Sequence, residues 1–204
     1  LANIREVDAI IHVVRCFEDG NVVHVDGSVN PVRDKDIIDT ELLLKDIETV
    51  EKRVEKLKKA AKAGEKEPKA RLEQGELILA HLEAENPART IELNDMGMEL
   101  MDDMYLLTAK PIMYVCNVDE DSVHEGNDHT IRFAEAIKGE KAEMLLISAG
   151  IEADIAELDS KEERMEFLSD MGLEEAGVNR VIRAAYKLLN LITYFTAGEK
   201  EVRA

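Results

Sequence analysis

The sequence predicts an α/β fold with a parallel sheet, interrupted by an inserted antiparallel α-helical coiled-coil hairpin. Three apolar runs carry the first half of that prediction: AIIHVVR at 9–15, PIMYVCN at 111–117 and EMLLIS at 143–148. Each is short and bounded by turn residues, and helical patterns lie between them, as in a parallel α/β architecture. The hairpin is carried by a seam in which Leu43, Ile47, Val50, Val54, Leu57 and Ala61 recur at alternating steps of four and three. Composition agrees, since 34% charged residues, 4% aromatics and no Trp imply an aliphatic core with much exposed helix. A length of 204 residues suffices for one domain, or for a core domain with an inserted module.

The opening LANIREVD reads as the last turns of a helix. The run at 9–15 then reads as a strand buried on both faces. Asp19-Gly20 and Asp26-Gly27 are turn dipeptides flanking NVVHV, which predicts a short strand inside a loop-rich segment before Pro31. From about Asp34 the period becomes helical. Gly64 and Pro68 interrupt it, and Leu72, Gly75, Leu79 and Leu82 form the returning seam before Asn86-Pro87. After the hairpin, ELNDMGMELMDDMYLLTAKP is helical, with Met98, Met101 and Leu106 among acids. Pro111 opens the second strand, where a missing N–H is tolerated. Helices are predicted at 127–138, 161–171 and 178–194, with the third strand between the first two. Three strands are few for such a sheet, so part of it is expected outside this chain.

The net charge of −18 argues against general binding to DNA or to an anionic membrane. Positive charge is nonetheless gathered in one place. Between 52 and 71 stand nine basic residues, Lys52, Arg53, Lys56, Lys58, Lys59, Lys62, Lys66, Lys69 and Arg71, against three acids. That is a net of +6 and leaves −24 on the remainder. Such a run is either a solvated helix face or an electrostatic guide for nucleic acid, and the absence of aromatics leaves phosphate contact rather than base stacking as its chemistry. Cys16 and Cys116 are the only cysteines, a hundred residues apart in apolar runs, so buried thiols in a reducing compartment are expected. No apolar stretch approaches the roughly 20 residues that span a bilayer, and no basic-then-apolar leader opens the chain. A cytoplasmic chain without membrane association is therefore expected.

Ligands of parallel sheets bind at the C-terminal ends of the strands. Two such ends are polar here: Asn117-Val118-Asp119-Glu120 after one strand, and Ser148-Ala149-Gly150 after the next. Loops in these positions can read a nucleotide base, although Asn117 could equally close a turn. A guanine-reading loop runs Asn-Lys-x-Asp, its Asp accepting from two guanine donors. Here Val118 replaces Lys and the longer Glu120 replaces Asp, which points to adenine. Other chemistries lack their residues. NVDEDSVHEGND departs from a Ca²⁺ loop at Ser122 and Asp128, the histidines show no zinc spacing, Ser148 lacks the setting of a nucleophile, and there is no G-x-x-x-x-G-K-[ST] phosphate loop.

Four segments carry a resemblance: FEDGNVVHVDGSVNPVRDKDIIDTELLLKDIETVEKR (17–53), LLTAKPIMYVCNVDE (106–120), ISAGIEADIAEL (147–158) and YFTAGEKEVRA (194–204). In these, and in their order, the chain resembles the YchF/Obg-like ATPases, a branch of the Obg-type P-loop GTPases. The resemblance implies part of a P-loop NTPase G domain. Residues 1–36 would follow switch II, 37–87 would form the helical arm, and 88–204 would complete the domain. It implies an ATP-preferring NTPase whose N-x-x-E loop is matched by Asn117 and Glu120, with the Val118 backbone beside adenine and Ser148-Ala149 as the second base loop. Family members associate with ribosomes and RNA, which agrees with the basic arm as the contact.

Members also carry a phosphate loop and both switch regions before the segment matched by LANIREVDAI, and a TGS domain after TAGEKEVRA. The chain is thus expected to be the central piece of a longer protein. ATP (or GTP) and Mg²⁺ would be bound by the whole, with the phosphate and Mg²⁺ ligands outside these residues. The 204 residues alone are expected neither to hold ATP tightly nor to hydrolyse it. The alternative is a non-catalytic module whose basic hairpin binds RNA, the ribosome or a protein.

Overall fold

In the computed structural model, residues 2–20, 27–62, 66–140, 142–197 and 202–203 are described. The helices are α1 (Ala2–Arg5), α2 (Pro31–Ala61), α3 (Lys66–Glu83), α4 (Asp95–Asp102), α5 (Asp128–Ala136), α6 (Ala149–Glu157), α7 (Lys161–Asp170) and α8 (Gly177–Leu188). The strands are β1 (Ile10–Arg15), β2 (Ile112–Asn117), β3 (Glu143–Ile147) and a minimal antiparallel pair, β4 (Thr196–Ala197) and β5 (Val202–Arg203). The chain divides into two compact units. One comprises Leu1–Ile10 and Val32–Pro111, the other Ile11–Pro31 and Ile112–Ala204.

Helix α2, which supplies the first unit from Val32 on, starts at Pro31, earlier than the expected change of period, because proline at a first helical position surrenders no needed N–H. The seam folds as a core of Val50, Val54 and Leu57 from α2 against Ile78 and Leu82 from α3. Leu100 and Met101 of α4 join the same core, so the hairpin has a third wall. The returning seam differs by one position from its sequence reading: Ile78 is fully buried and Leu79 only partly. Gly75 explains the register. A Cβ there would lie 3.2 Å from Val54 and 3.4 Å from Leu57, so glycine lets the two helices approach. Asp46, fully buried in α2, accepts from Leu107 N (2.8 Å), Thr108 N (2.7 Å) and Thr108 Oγ1 (2.7 Å).

The second unit holds the sheet, ordered β1-β2-β3. β2 and β3 are parallel, with Met113 opposite Glu143 and Asn117 opposite Ile147. Residue alternation sorts β2 into two faces. Met113 and Val115 pack with Ile147 and Ala184 beneath α8. Tyr114 instead meets Phe133 of α5 edge to face at 5.1 Å, and its hydroxyl donates to Glu140 at 2.7 Å. β2 is buried on both faces, as a central parallel strand requires.

β1 differs from its expected burial on both faces: it is one of the two outer strands of this sheet, with Val14 at 3% exposure and Val13 at 63%. Only its Val14 face is covered by the described residues. α8 also stops at Leu188 rather than 194, because Asn190 adopts a left-handed φ of 53° that closes the helix. The expected strand at NVVHV lies outside the described residues.

Candidate functional site

Register brings the two polar strand ends together. Asn117 closes β2 directly opposite Ile147, the last residue of β3, and the next two residues are Ser148 and Ala149. Asn117 Oδ1 accepts from the Ala149 N–H at 3.0 Å, so one side-chain amide joins the two loops. That bond uses one of the two lone pairs of Oδ1, and Nδ2 makes no hydrogen bond among the described residues. Val118 turns its side chain into the core at 2% exposure and donates its N–H to Ile147 O at 2.9 Å. Glu120 is exposed, and its carboxylate runs beside Gly150, where a Cβ would lie 3.3 Å from Oε1. Ser148 is buried and caps α6, its Oγ accepting from Ile151 N at a long 3.5 Å. Ala149 is exposed.

The three consecutive acids are not equivalent. Asp119 caps the short 3₁₀ turn Glu120–Ser122 by accepting from Ser122 N at 2.9 Å, which makes it the turn residue, while Glu120 stands over the second loop. Hydrogen bonding from Ser122 holds the Asp119 carboxyl below the ordinary aspartate range. With the folded pKa depressed, the contribution of this bond is complete above the unfolded pKa and is lost as pH falls through the folded one. NMR titration of Asp119 is expected to give a midpoint on the acid side of ordinary aspartate, and Ser122→Ala is expected to move it back up. A midpoint unaffected by Ser122→Ala would show that the Ser122 hydroxyl does not bond the carboxylate.

Asn127 holds this loop from behind. Its Oδ1 accepts from His129 N and Thr130 N to start α5, while Nδ2 donates to Cys16 O at 2.7 Å and to Ser122 Oγ at 3.3 Å. The end of β1, the acidic turn and α5 therefore converge on one amide. Sequence reading passed over it, although Asn-x-x-Thr is a recognisable helix start. Cys16 and Cys116 are buried side by side as thiols, and the Cys16 thiol hydrogen-bonded to Cys116 lowers the pKa of the latter.

In the helical unit the basic residues part into two groups. Arg53 pairs with Asp103 (3.4 Å), Lys58 with Glu76 (3.2 Å), and Arg71 with Glu67 (3.4 Å) and Glu99 (3.7 Å). Lys52, Lys56, Lys59, Lys62 and Lys69 are exposed and form no ion pair among the described residues. Three of these, Lys52, Lys56 and Lys59, recur at steps of four and three, one face of α2. The Lys66 side chain and residues 63–65, which include the predicted break at Gly64, lie outside the described residues.

Among the described residues no helix is long and apolar enough to cross a membrane. No family model matches the chain. Curated relatives match it from end to end: the ribosome-binding ATPase YchF of Pasteurella multocida is 50% identical over 204 residues, that of Bacillus subtilis 46% over 206, and that of Escherichia coli O157:H7 49% over 204. In each case all of this chain aligns with 56% of the relative, so the chain spans about half the length of the curated relatives it matches. The solved YchF GTPase of Schizosaccharomyces pombe superposes with a TM-score of 0.86 at 33% identity, covering 99% of this chain and 55% of that one. Identity sustained along the whole chain, together with a shared P-loop GTPase fold, makes this chain a homologue of the YchF proteins over its entire length.

Proposed function

We propose that this chain is the base-reading and arm-bearing part of a cytoplasmic, ribosome-associated ATPase, and that its two loops select adenine over guanine. The observation that carries the reading is the bond from Ala149 N–H to Asn117 Oδ1, which ties the two strand-end loops together. Three features favour adenine. The N–H of Val118 is used on Ile147, so the backbone group it can offer a base is its carbonyl, an acceptor suited to the exocyclic amino group of adenine and repelled by the carbonyl of guanine. The Val118 side chain is buried, so nothing at that position covers a ring as a Lys stem would. Glu120 is one methylene longer than the guanine-reading Asp and lies against Gly150.

These residues fit the base end of a nucleotide only. The sequence has no phosphate loop, and among the described residues no three metal-ligating side chains are gathered, so Mg²⁺ and the phosphates are assigned no ligands here. Asn117→Ala in the full-length protein is expected to weaken ATP binding by roughly tenfold or more, the equivalent of one or two hydrogen bonds. Isothermal titration reads this directly, and unchanged affinity would end the base-site assignment.

The five lysines that are exposed and form no ion pair among the described residues favour a second role for the same chain, phosphate-backbone contact with ribosomal RNA through the arm. Reversing Lys56, Lys59 and Lys62 to Glu is expected to weaken RNA or ribosome association and to flatten its dependence on salt, because fewer counterions are released. Identical binding curves for the wild type and the triple variant, across a salt series, would refute this contact.

A further inference from the structure

Helix α8 starts without a cap of its own. Ala176 stands at the cap position and has no side-chain oxygen, so the first N–H groups of the helix need acceptors from elsewhere. They find them on α6. Glu152 accepts from Gly177 N through Oε1 at 2.6 Å and from Val178 N through Oε2 at 3.1 Å, one carboxylate oxygen for each donor. A carboxylate is the favoured group at a helix N-terminus, where the helix dipole is positive. Gly177 makes the approach possible, because a Cβ there would lie 2.9 Å from Glu152 Oε1 and 3.2 Å from Ile147. Arg180 adds a second tie, donating to Leu146 O at 3.3 Å.

These ties bracket the second base loop. Leu146 and Ile147 precede Ser148-Ala149, Glu152 follows them, and both sides are held to the first turn of α8. The loop's own cap is the long 3.5 Å bond to Ser148 Oγ, and the bidentate clamp, with bonds of 2.6 and 3.1 Å, is the shorter tie on the orientation of α6. That orientation decides where the Ala149 N–H points, and hence whether it reaches Asn117. We infer that Glu152, fitted by Gly177, is a positioning residue for base recognition: it touches no nucleotide, but aims the Ala149 loop at Asn117 and Glu120. This rests on the base-site reading above.

The test compares ATP with inorganic tripolyphosphate, which has phosphates but no base, in the full-length protein. Glu152→Ala is expected to weaken ATP binding on the order of tenfold while tripolyphosphate binding stays within about twofold. Hydrogen exchange at the Ala149 amide should accelerate in parallel. Glu152→Gln, which keeps acceptor oxygen for one donor, should fall between wild type and Glu152→Ala, and Gly177→Ala should reproduce the loss with the carboxylate intact. Equal weakening of ATP and tripolyphosphate would indicate a general loss of structure and overturn the inference. So would unchanged ATP binding in both Glu152→Ala and Gly177→Ala. The two readings separate cleanly. If Asn117→Ala weakens ATP binding and Glu152→Ala does not, only the positioning role falls; if Asn117→Ala has no effect, the base site falls and this inference with it.

Discussion

Asp46→Ala is expected to destabilise the helical unit by about 3–5 kcal/mol, since breaking a buried charged network strands its partners away from water. Asp46 is fully buried, and its two oxygens serve three donors at 2.7–2.8 Å. Removing it leaves Leu107 N–H and Thr108 N–H without acceptors in a site closed to solvent. Thr108 Oγ1 also accepts from Ala88 N at 3.0 Å, so the loss would spread to the segment that follows the hairpin. Asp46→Asn is expected to be nearly as damaging, because its Nδ2 would be turned toward N–H groups. Urea denaturation followed by circular dichroism reads the change. A shift below about 1 kcal/mol for Asp46→Ala would mean that water or a rearranged loop takes over the carboxylate's role.

Phe133→Ala is expected to cost about 3–5 kcal/mol in the sheet unit, the usual range for emptying a buried aromatic site. Phe133 is fully buried on the inner face of α5 and presents its ring to Tyr114 edge to face. Tyr114 lies in β2, three residues before Asn117, so a cavity here loosens the support of the strand that ends in the proposed base site. Phe133→Leu should recover most of the stability by refilling the volume. Thermal denaturation of the two variants separates cavity from chemistry. Equal losses for Leu and Ala would show that the aromatic contact with Tyr114, rather than filled volume, is what matters.

Local pattern made much of this molecule legible. The strands at 112–117 and 143–147 and the helix at 128–136 fall within a residue or two of their apolar runs, because central strands and amphipathic helices announce themselves by composition and period. The α2 seam was legible for the same reason. Its partner was read one position off, since burial of Ile78 over Leu79 depends on how closely Gly75 lets the helices meet. The exposure of one face of β1 could not be read from its β-branched run, because burial is a property of neighbours rather than of the strand.

For the proposed base site, Asn117, Val118, Glu120, Ser148 and Ala149 could be named from sequence because each stands at the polar end of an apolar run. Asn127 and Asp46 act through partners that sequence spacing does not pair, such as Cys16 for one and Thr108 for the other. Glu152 gives no signal at all in an acidic chain, and only its meeting with Gly177, 25 residues on, distinguishes it from the other acids. The sequence by itself determined the α/β class, the helical hairpin, the family likeness and the residue types at the strand ends. Only the tertiary structure decided that Asn117 bonds to Ala149, that Asp119 caps a turn while Glu120 faces Gly150, and which lysines form no ion pair among the described residues. The reason is physical: period and propensity act between residues a few positions apart, whereas hydrogen-bond partners are chosen by distance in space.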